Sequence, residues 1–249
     1  MNILITCAVD PEFDPWKKLR KFQEIRAGEF TIRRAEIAGA NVDFLVTGMG
    51  PVRATRAMDA IASQEYGVCV ASGIAGALQP SVDVGDIVVP RAVTESGTAN
   101  KIACDPQLVQ RAVSSGAKVI EEMVSCDRVA STVAEKARLG EFAAAVDMES
   151  FAVLNAAWRR HSRAVVIRAI SDRHDQALPL DLSATVDERG QVSIGAVLRM
   201  VAGNPGQISA LMKFGRESKA AAEKLARFLD ERLPAIAENR AASGALRAV

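Results

Sequence analysis

Aromatic residues are scarce in this 249-residue chain, which holds eight Phe, two Trp and one Tyr. That leaves few platforms on which the bases of a single-stranded nucleic acid could stack. Charge of one sign is not in excess either: 31 Lys and Arg stand against 30 Asp and Glu. Near-neutrality argues against attachment to nucleic acid by bulk electrostatics. The apolar runs are short and broken by glycine, so no transmembrane segment is expected. The opening Met1-Asn2-Ile3-Leu4-Ile5-Thr6 lacks the basic region of a signal peptide. Two histidines and four widely spaced cysteines (Cys7, Cys69, Cys104 and Cys126) provide no ligand cluster of zinc-site spacing, and no metal is expected. The cysteines read as reduced structural thiols, and the protein as cytoplasmic. What is plentiful is apolar residue: 49% of the chain, with 24% charged. That composition fills a sizeable core and excludes a disordered chain.

Apolar segments at residues 2–8, 42–46, 68–71 and 86–89 read as strands. The third stops at a glycine turn, residues 72–76, and the fourth is closed by Pro90. A charged stretch from Asp10 to Arg34 carries Trp16, Leu19 and Phe22 at helical spacing, and residues 51–65 form a helix with Pro51 near its first turn. Strands and helices then alternate through 118–126, 134–141, 147–159 and 163–170. Continuous apolar strands alternating with helices predict an α/β fold with a mixed, mostly parallel sheet flanked by helices. A final long amphipathic helix places Ile208, Leu211, Met212, Ala222, Leu225, Ala226, Leu229 and Leu233 on one stripe. No linker or repeat divides the chain, so residues 1–249 are expected to form one domain with a tail that frays from about residue 235.

In an open α/β sheet, ligands gather beyond the carboxyl ends of the strands. Small or acidic residues occupy such ends at 8–12, 48–51, 72–76 and 171–175, and Val146-Asp147-Met148-Glu149-Ser150 opens a helix after a short apolar run. Gly48-Met49-Gly50 would let backbone approach a ligand, but it lacks the third glycine of a dinucleotide fingerprint. Arg53 and Arg56, in the helix that follows, could meet an anion or simply face solvent. Asp172, directly after an apolar strand, could be raised by burial into a proton donor, or could cap a turn. Glu149 could bind hydroxyls beside a Met148 thioether, or complement a helix dipole. Glu12 could be catalytic or a surface charge. His174, two residues beyond Asp172, is either exposed or near the site.

Taken together these strings resemble the purine nucleoside phosphorylase and nucleosidase superfamily, which includes methylthioadenosine/S-adenosylhomocysteine nucleosidase. The matching segments are 5–12, 47–50, 72–78, 84–90, 146–150 and 166–172, in the family order along nearly the whole chain. The most specific pairing is Val-Asp-Met-Glu followed by Ile-Arg-Ala-Ile-Ser-Asp. The resemblance implies a three-layer nucleoside phosphorylase-like fold and cleavage of the N-ribosidic bond of a purine nucleoside, with adenine the expected base. It implies Asp172 as proton donor to the leaving base, Glu149 and Met148 at the ribose, and Glu12 as water-activating carboxylate. Met49, Ser72 and Gly73 would lie near sugar and base. Val129 stands where nucleosidases carry a purine-stacking phenylalanine. The implied assembly is a homodimer, and no organic cofactor is needed.

Departures from the family pattern favour water over phosphate. Ala71 stands where phosphorolytic members carry an arginine, Ile74 replaces a serine in the same segment, and Asp10-Pro11-Glu12 occupies the place of a phosphate loop. Arg53 and Arg56 keep phosphate open as the alternative acceptor. The run from Arg173 to Leu182, with Asn204-Pro205-Gly206-Gln207, is similar to hopanoid-associated phosphorylases, which implies an adenosyl lipid as an alternative substrate. Two other classes compete: a binding module that holds a nucleoside without cleaving it, and a nicotinamide-dependent oxidoreductase suggested by the glycine turns alone.

Overall fold

The opening apolar run forms β1 (Asn2–Cys7), buried on both faces from Ile3 onward. In the computed structural model, residues 2–179 and 208–238 are described. β1 pairs in parallel with β4 (Ala40–Val46) on one side and with β5 (Val68–Ala77) on the other. Beyond β4 the sheet extends through an antiparallel hairpin, β3 (Phe30–Ile37) and β2 (Gln23–Ala27). This hairpin lies inside the stretch read from sequence as charged. Its signal is the alternation of buried Phe30, Ile32 and Ile37 with more exposed polar neighbours. α1 (Asp10–Leu19) precedes it, clamped by Phe13 and Trp16, whose rings lie 5.7 and 4.6 Å from that of Phe44 on β4. Phe22 belongs to the same ring cluster but lies beyond the helix end, 5.3 Å from Phe44.

On the other side the strands close on themselves. β5 pairs from Val68 to Gly76 with β10 (Arg163–Asp172) in parallel. β10 pairs with β6 (Ile87–Glu95), β6 with β8 (Lys118–Ser125), β8 with β9 (Ala145–Asp147), and β9 returns antiparallel to Gly76 and Ala77 at the end of β5. The short β7 (Lys101–Ala103) adds to β6. Closure explains two departures from the sequence reading. Residues 72–76 are not a turn: they continue β5, and the glycines there admit close approach of neighbouring side chains. Pro90 does not end β6, because the pairing of β10 to β6 covers only Ile87 and Val88 and leaves Pro90 without a ladder acceptor to satisfy on that side.

Helices cover the sheet in two groups, giving the three-layer α/β arrangement. α2 (Pro51–Ala60) packs on α5 (Ser150–Arg159), which lies over β10 and β5. α6 (Ile208–Ala237) runs over β10 and β5 and touches α1 and α3 (Pro106–Ser114). α4 (Val133–Gly140) stands at the edge of the closed strands. The expected stripe on α6 holds in its second half, where Ala222, Leu225, Ala226, Leu229 and Leu233 are buried; Met212 is 60% exposed instead. The helix stays packed through Ile236 and Ala237, past the expected point of fraying, and residues 239–249 lie outside the described residues. So do Leu180 to Leu182 and Asn204 to Gln207. No described helix is long and apolar enough to cross a membrane.

Leu229 is fully buried where α6 crosses the sheet, so Leu229→Ala removes transfer energy and leaves a cavity. The expected loss is about 2–5 kcal/mol in denaturant unfolding. A loss under about 1 kcal/mol would show that α6 contributes little to the core.

Candidate active site

A cleft with a cavity volume of about 140 Å³ opens at the carboxyl ends of β1, β5 and β10. Ala8, Val9 and Glu12 line it from the start of α1, and Met49 from the turn after β4. Ile74, Ala75 and Gly76 line it from β5, Met148 and Glu149 from the segment before α5, and Ser171 and Asp172 from the end of β10. Arg128, Val129 and Ala130 form a further wall, with Leu178 and Phe214 beside them.

At the centre of one end lies Arg168, 1% exposed in the middle of β10. A buried guanidinium requires acceptors, and this one gathers them from other elements. Its Nη2 is ion-paired with Asp147 Oδ2 and lies 3.8 Å from Glu149 Oε2. Nη2 and Nε lie 3.1 and 3.3 Å from Ser150 Oγ. Asp147 is held in turn by the hydroxyls of Ser125 and Ser150, each donating at 2.5 Å. Nη1 has no acceptor among the described residues.

Glu12 is placed by the first turn of α1, where an acidic residue suits the positive end of the helix. Its carboxylate accepts the Ala8 N–H at 2.7 Å and the Ile74 N–H at 2.9 Å. Gly73 makes this possible. A Cβ there would stand 2.5 Å from Arg168 Nη1 and 2.7 Å from both Glu12 oxygens, and its φ of +134° is one that side chains rarely adopt. Burial holds the Glu12 carboxyl above its ordinary range, with Arg168 and the backbone N–H groups of Ile74, Ala8 and Val9 opposing. Glu149 precedes α5 and accepts the Gly50 N–H at 2.7 Å. Gly50 has a φ of +92° at the start of α2, so the Gly48-Met49-Gly50 turn spends that N–H on a carboxylate. Burial first, then the Asp147 and Glu12 charges, push Glu149 up to about 8 against the pull of Arg168.

Asp172 occupies the opposite end of the cleft. A register shift in the β10–β5 pairing at Ser171 carries it opposite Gly76, the re-aiming expected of a bulge. Ser171 Oγ donates to Asp172 Oδ1 at 2.6 Å, and Asp172 Oδ2 is ion-paired with Lys136 of α4, which is fully buried. From sequence Asp172 reads as an acid raised by burial or as a turn cap; the structure sets an ammonium group against it.

The structure thus brings Glu12, Met49, Val129, Met148, Glu149 and Asp172 to one cleft. Ser72 is buried within β5 and Gly73 lies beneath Glu12 and Arg168, so neither lines it. Arg53 and Arg56 are directed elsewhere. Both pair with Glu29, at 3.4 and 2.7 Å, and Arg53 lies over the Phe30 ring in a separate open cleft with Thr31 and Arg33. His174 is also outside the lining. Arg168, Lys136, Arg128 and Phe214 were missed from sequence. For Arg168 a signal existed: a lone charge inside the apolar strand 165–170. Among the described residues no group of three or more His, Cys, Asp and Glu is arranged to hold a metal.

The phosphorylase superfamily model matches residues 2–230. A 5′-methylthioadenosine/S-adenosylhomocysteine nucleosidase of Anoxybacillus flavithermus is 27% identical over 198 residues, covering 69% of this chain and 85% of the relative. Among solved structures, the S-adenosylhomocysteine nucleosidase of Streptococcus pyogenes in complex with 5-methylthiotubericidin superposes with a TM-score of 0.72 at 17% identity, covering 94% of this chain and 96% of that one. Futalosine hydrolase of Helicobacter pylori gives 0.72 at 20% identity, covering 94% and 97%.

A carboxyl raised in the folded state holds a proton that the unfolded chain has released, so its contribution to stability is lost as pH rises through the folded value. Glu149 lies in that case, between its ordinary 4.5 and about 8. Glu149→Gln keeps an acceptor for Gly50 and cannot ionise. Thermal unfolding from pH 4 to 9 should show wild type losing stability relative to this variant as pH rises through that window. A difference independent of pH would contradict the assignment.

Proposed function

The chain belongs to the phosphorylase superfamily, and from that premise we propose that it hydrolyses the N-ribosidic bond of a purine nucleoside, with adenine as the expected base. Breaking C1′–N9 leaves positive charge on the ribose and negative charge on the purine. Asp172 delivers the proton the purine needs, and Glu149, beside Met148, holds the ribose hydroxyls and so fixes the sugar as its charge develops. Water then attacks from the face opposite the base, in the manner of the two-carboxyl scheme of glycoside hydrolysis.

The observation that carries the choice of water is the placement of Glu12, whose buried carboxylate lines the cleft. A water on the cleft side of that carboxylate would give its proton to Glu12 as it attacks C1′. A carboxyl lifted by burial is a better base near neutrality than an ordinary one. Phosphate finds less support: Arg53 and Arg56 are engaged by Glu29 away from the cleft, and Arg128 on its wall is bonded to Glu135 at 2.7 Å. The apolar side chains of Leu178 and Phe214 at the cleft suit an apolar 5′ substituent, as in 5′-methylthioadenosine, and a larger adenosyl lipid is the second reading of the same wall.

Adenine release from adenosine, 5′-deoxyadenosine, methylthioadenosine and S-adenosylhomocysteine, with and without phosphate, tests the proposal by chromatography. Equal release in both buffers is expected. Asp172→Asn should reduce turnover by about 10²–10⁴, and Glu12→Gln should reduce hydrolysis by a similar factor. Release that requires phosphate and survives Glu12→Gln would replace the hydrolase with a phosphorylase.

A further inference from the structure

Lys136 is a fully buried lysine, and each of its three N–H groups has an acceptor. One is the Asp172 carboxylate; the others are the backbone carbonyls of Arg173 and Gln176, at 2.7 and 2.9 Å. An ammonium in that position costs several kcal/mol of desolvation unless fully paired. The carbonyls alone could be served by water or by a neutral donor. The carboxylate it touches is the one that must supply a proton to the leaving base, and with Lys136 and Ser171 both donating to it, the carboxylate is surrounded by donors.

We infer that Lys136 is a positioning residue that acts through Asp172 as the proton reservoir of the reaction, an inference that rests on the function proposed above. As C1′–N9 breaks, the bonding pair passes to the purine. Lys136 Nζ gives a proton to Asp172 and is left a neutral amine, and Asp172 passes that proton to N7. The attacking water adds its hydroxyl to C1′ and leaves its other proton on Glu12. After product release Glu12 gives that proton to solvent, Asp172 on the cleft takes one up and passes it to Lys136, which restores the site without net gain or loss. The remaining ionisable groups on the elements packed around the pair are already engaged or lie outside it. Glu135 of α4 is bonded to Arg128 at 2.7 Å, and Arg173 beyond β10 to Asp175 at 2.8 Å. Arg138 lies at a separate small cavity with Glu135, His174 sits on the loop between Arg173 and Asp175, and Asp147 and Glu149 face Arg168 across the cleft.

The test is the pH profile of kcat/KM for adenine release by wild type and by Lys136→Met, with folding checked by circular dichroism. An ordinary ammonium keeps its proton to a pH about 6 units above that of an ordinary carboxyl. Wild type should hold its activity well into the alkaline range. In Lys136→Met the proton must reside on Asp172 alone, so the alkaline limb should move down by at least about 2 pH units, while KM on the plateau changes less than about threefold. Lys136→Gln, which keeps a donor for the two carbonyls, should show the same displacement and serves if the methionine variant does not fold. An unmoved limb, with or without a uniform fall in rate, would reduce Lys136 to a loop anchor and overturn the inference. If neither variant folds, a wild-type alkaline limb in the carboxyl range overturns it. Wild type that releases no base from any nucleoside would instead refute the proposed function, and the role of the lysine with it.

Discussion

One buried guanidinium sets the terms for this site. Arg168 stands inside an apolar strand, where its charge is tolerable only because carboxylates from other parts of the chain converge on it. Asp147 takes the direct ion pair and is locked by two serine hydroxyls. That leaves Glu149 at longer range and Glu12 beyond it, two acids sharing what remains of one positive charge. Burial raises the proton affinity of both, and Arg168 pulls against it in each. The local backbone conforms to the same demand: Gly73 has no side chain because Arg168 and Glu12 fill the space, and Gly50 turns its N–H to Glu149.

The opposite end of the cleft is built the other way round. There a single acid, Asp172, is met by a buried cation and a hydroxyl. An acid-rich end about one cation and a cation-paired acid at the other end make an asymmetric environment. On the proposed reading this matches a reaction in which the sugar becomes positive and the base negative. The closed ring of strands makes the asymmetry possible, because β10 carries both Arg168 and Asp172 and the shift at Ser171 changes how the second is presented.

The strands and the acids at their ends were legible in the sequence because the relevant signals are local. Apolar runs ending beside Glu12, Glu149 and Asp172 require no knowledge of what lies across the sheet. The errors arose where meaning depends on distant partners. Gly73 and Gly76 read as a turn, and only the approach of Arg168, Glu12 and Asp172 explains why a strand should carry glycine there. Arg53 and Arg56 read equally as anion ligands or as solvent-facing charges, and Glu29 of the β2–β3 hairpin, which engages both, is not legible from their spacing. That hairpin was itself hidden under a charged composition. Lys136 gave no signal at all, since a lysine on a short amphipathic helix ordinarily faces water.

The central claim, that Glu12 holds the attacking water, is tested most directly by a crystal structure of the protein with a non-hydrolysable purine nucleoside analogue, grown in phosphate. The account predicts an ordered water on the face of C1′ opposite the base, within about 3.2 Å of the Glu12 carboxylate. A phosphate ion in that position would contradict it.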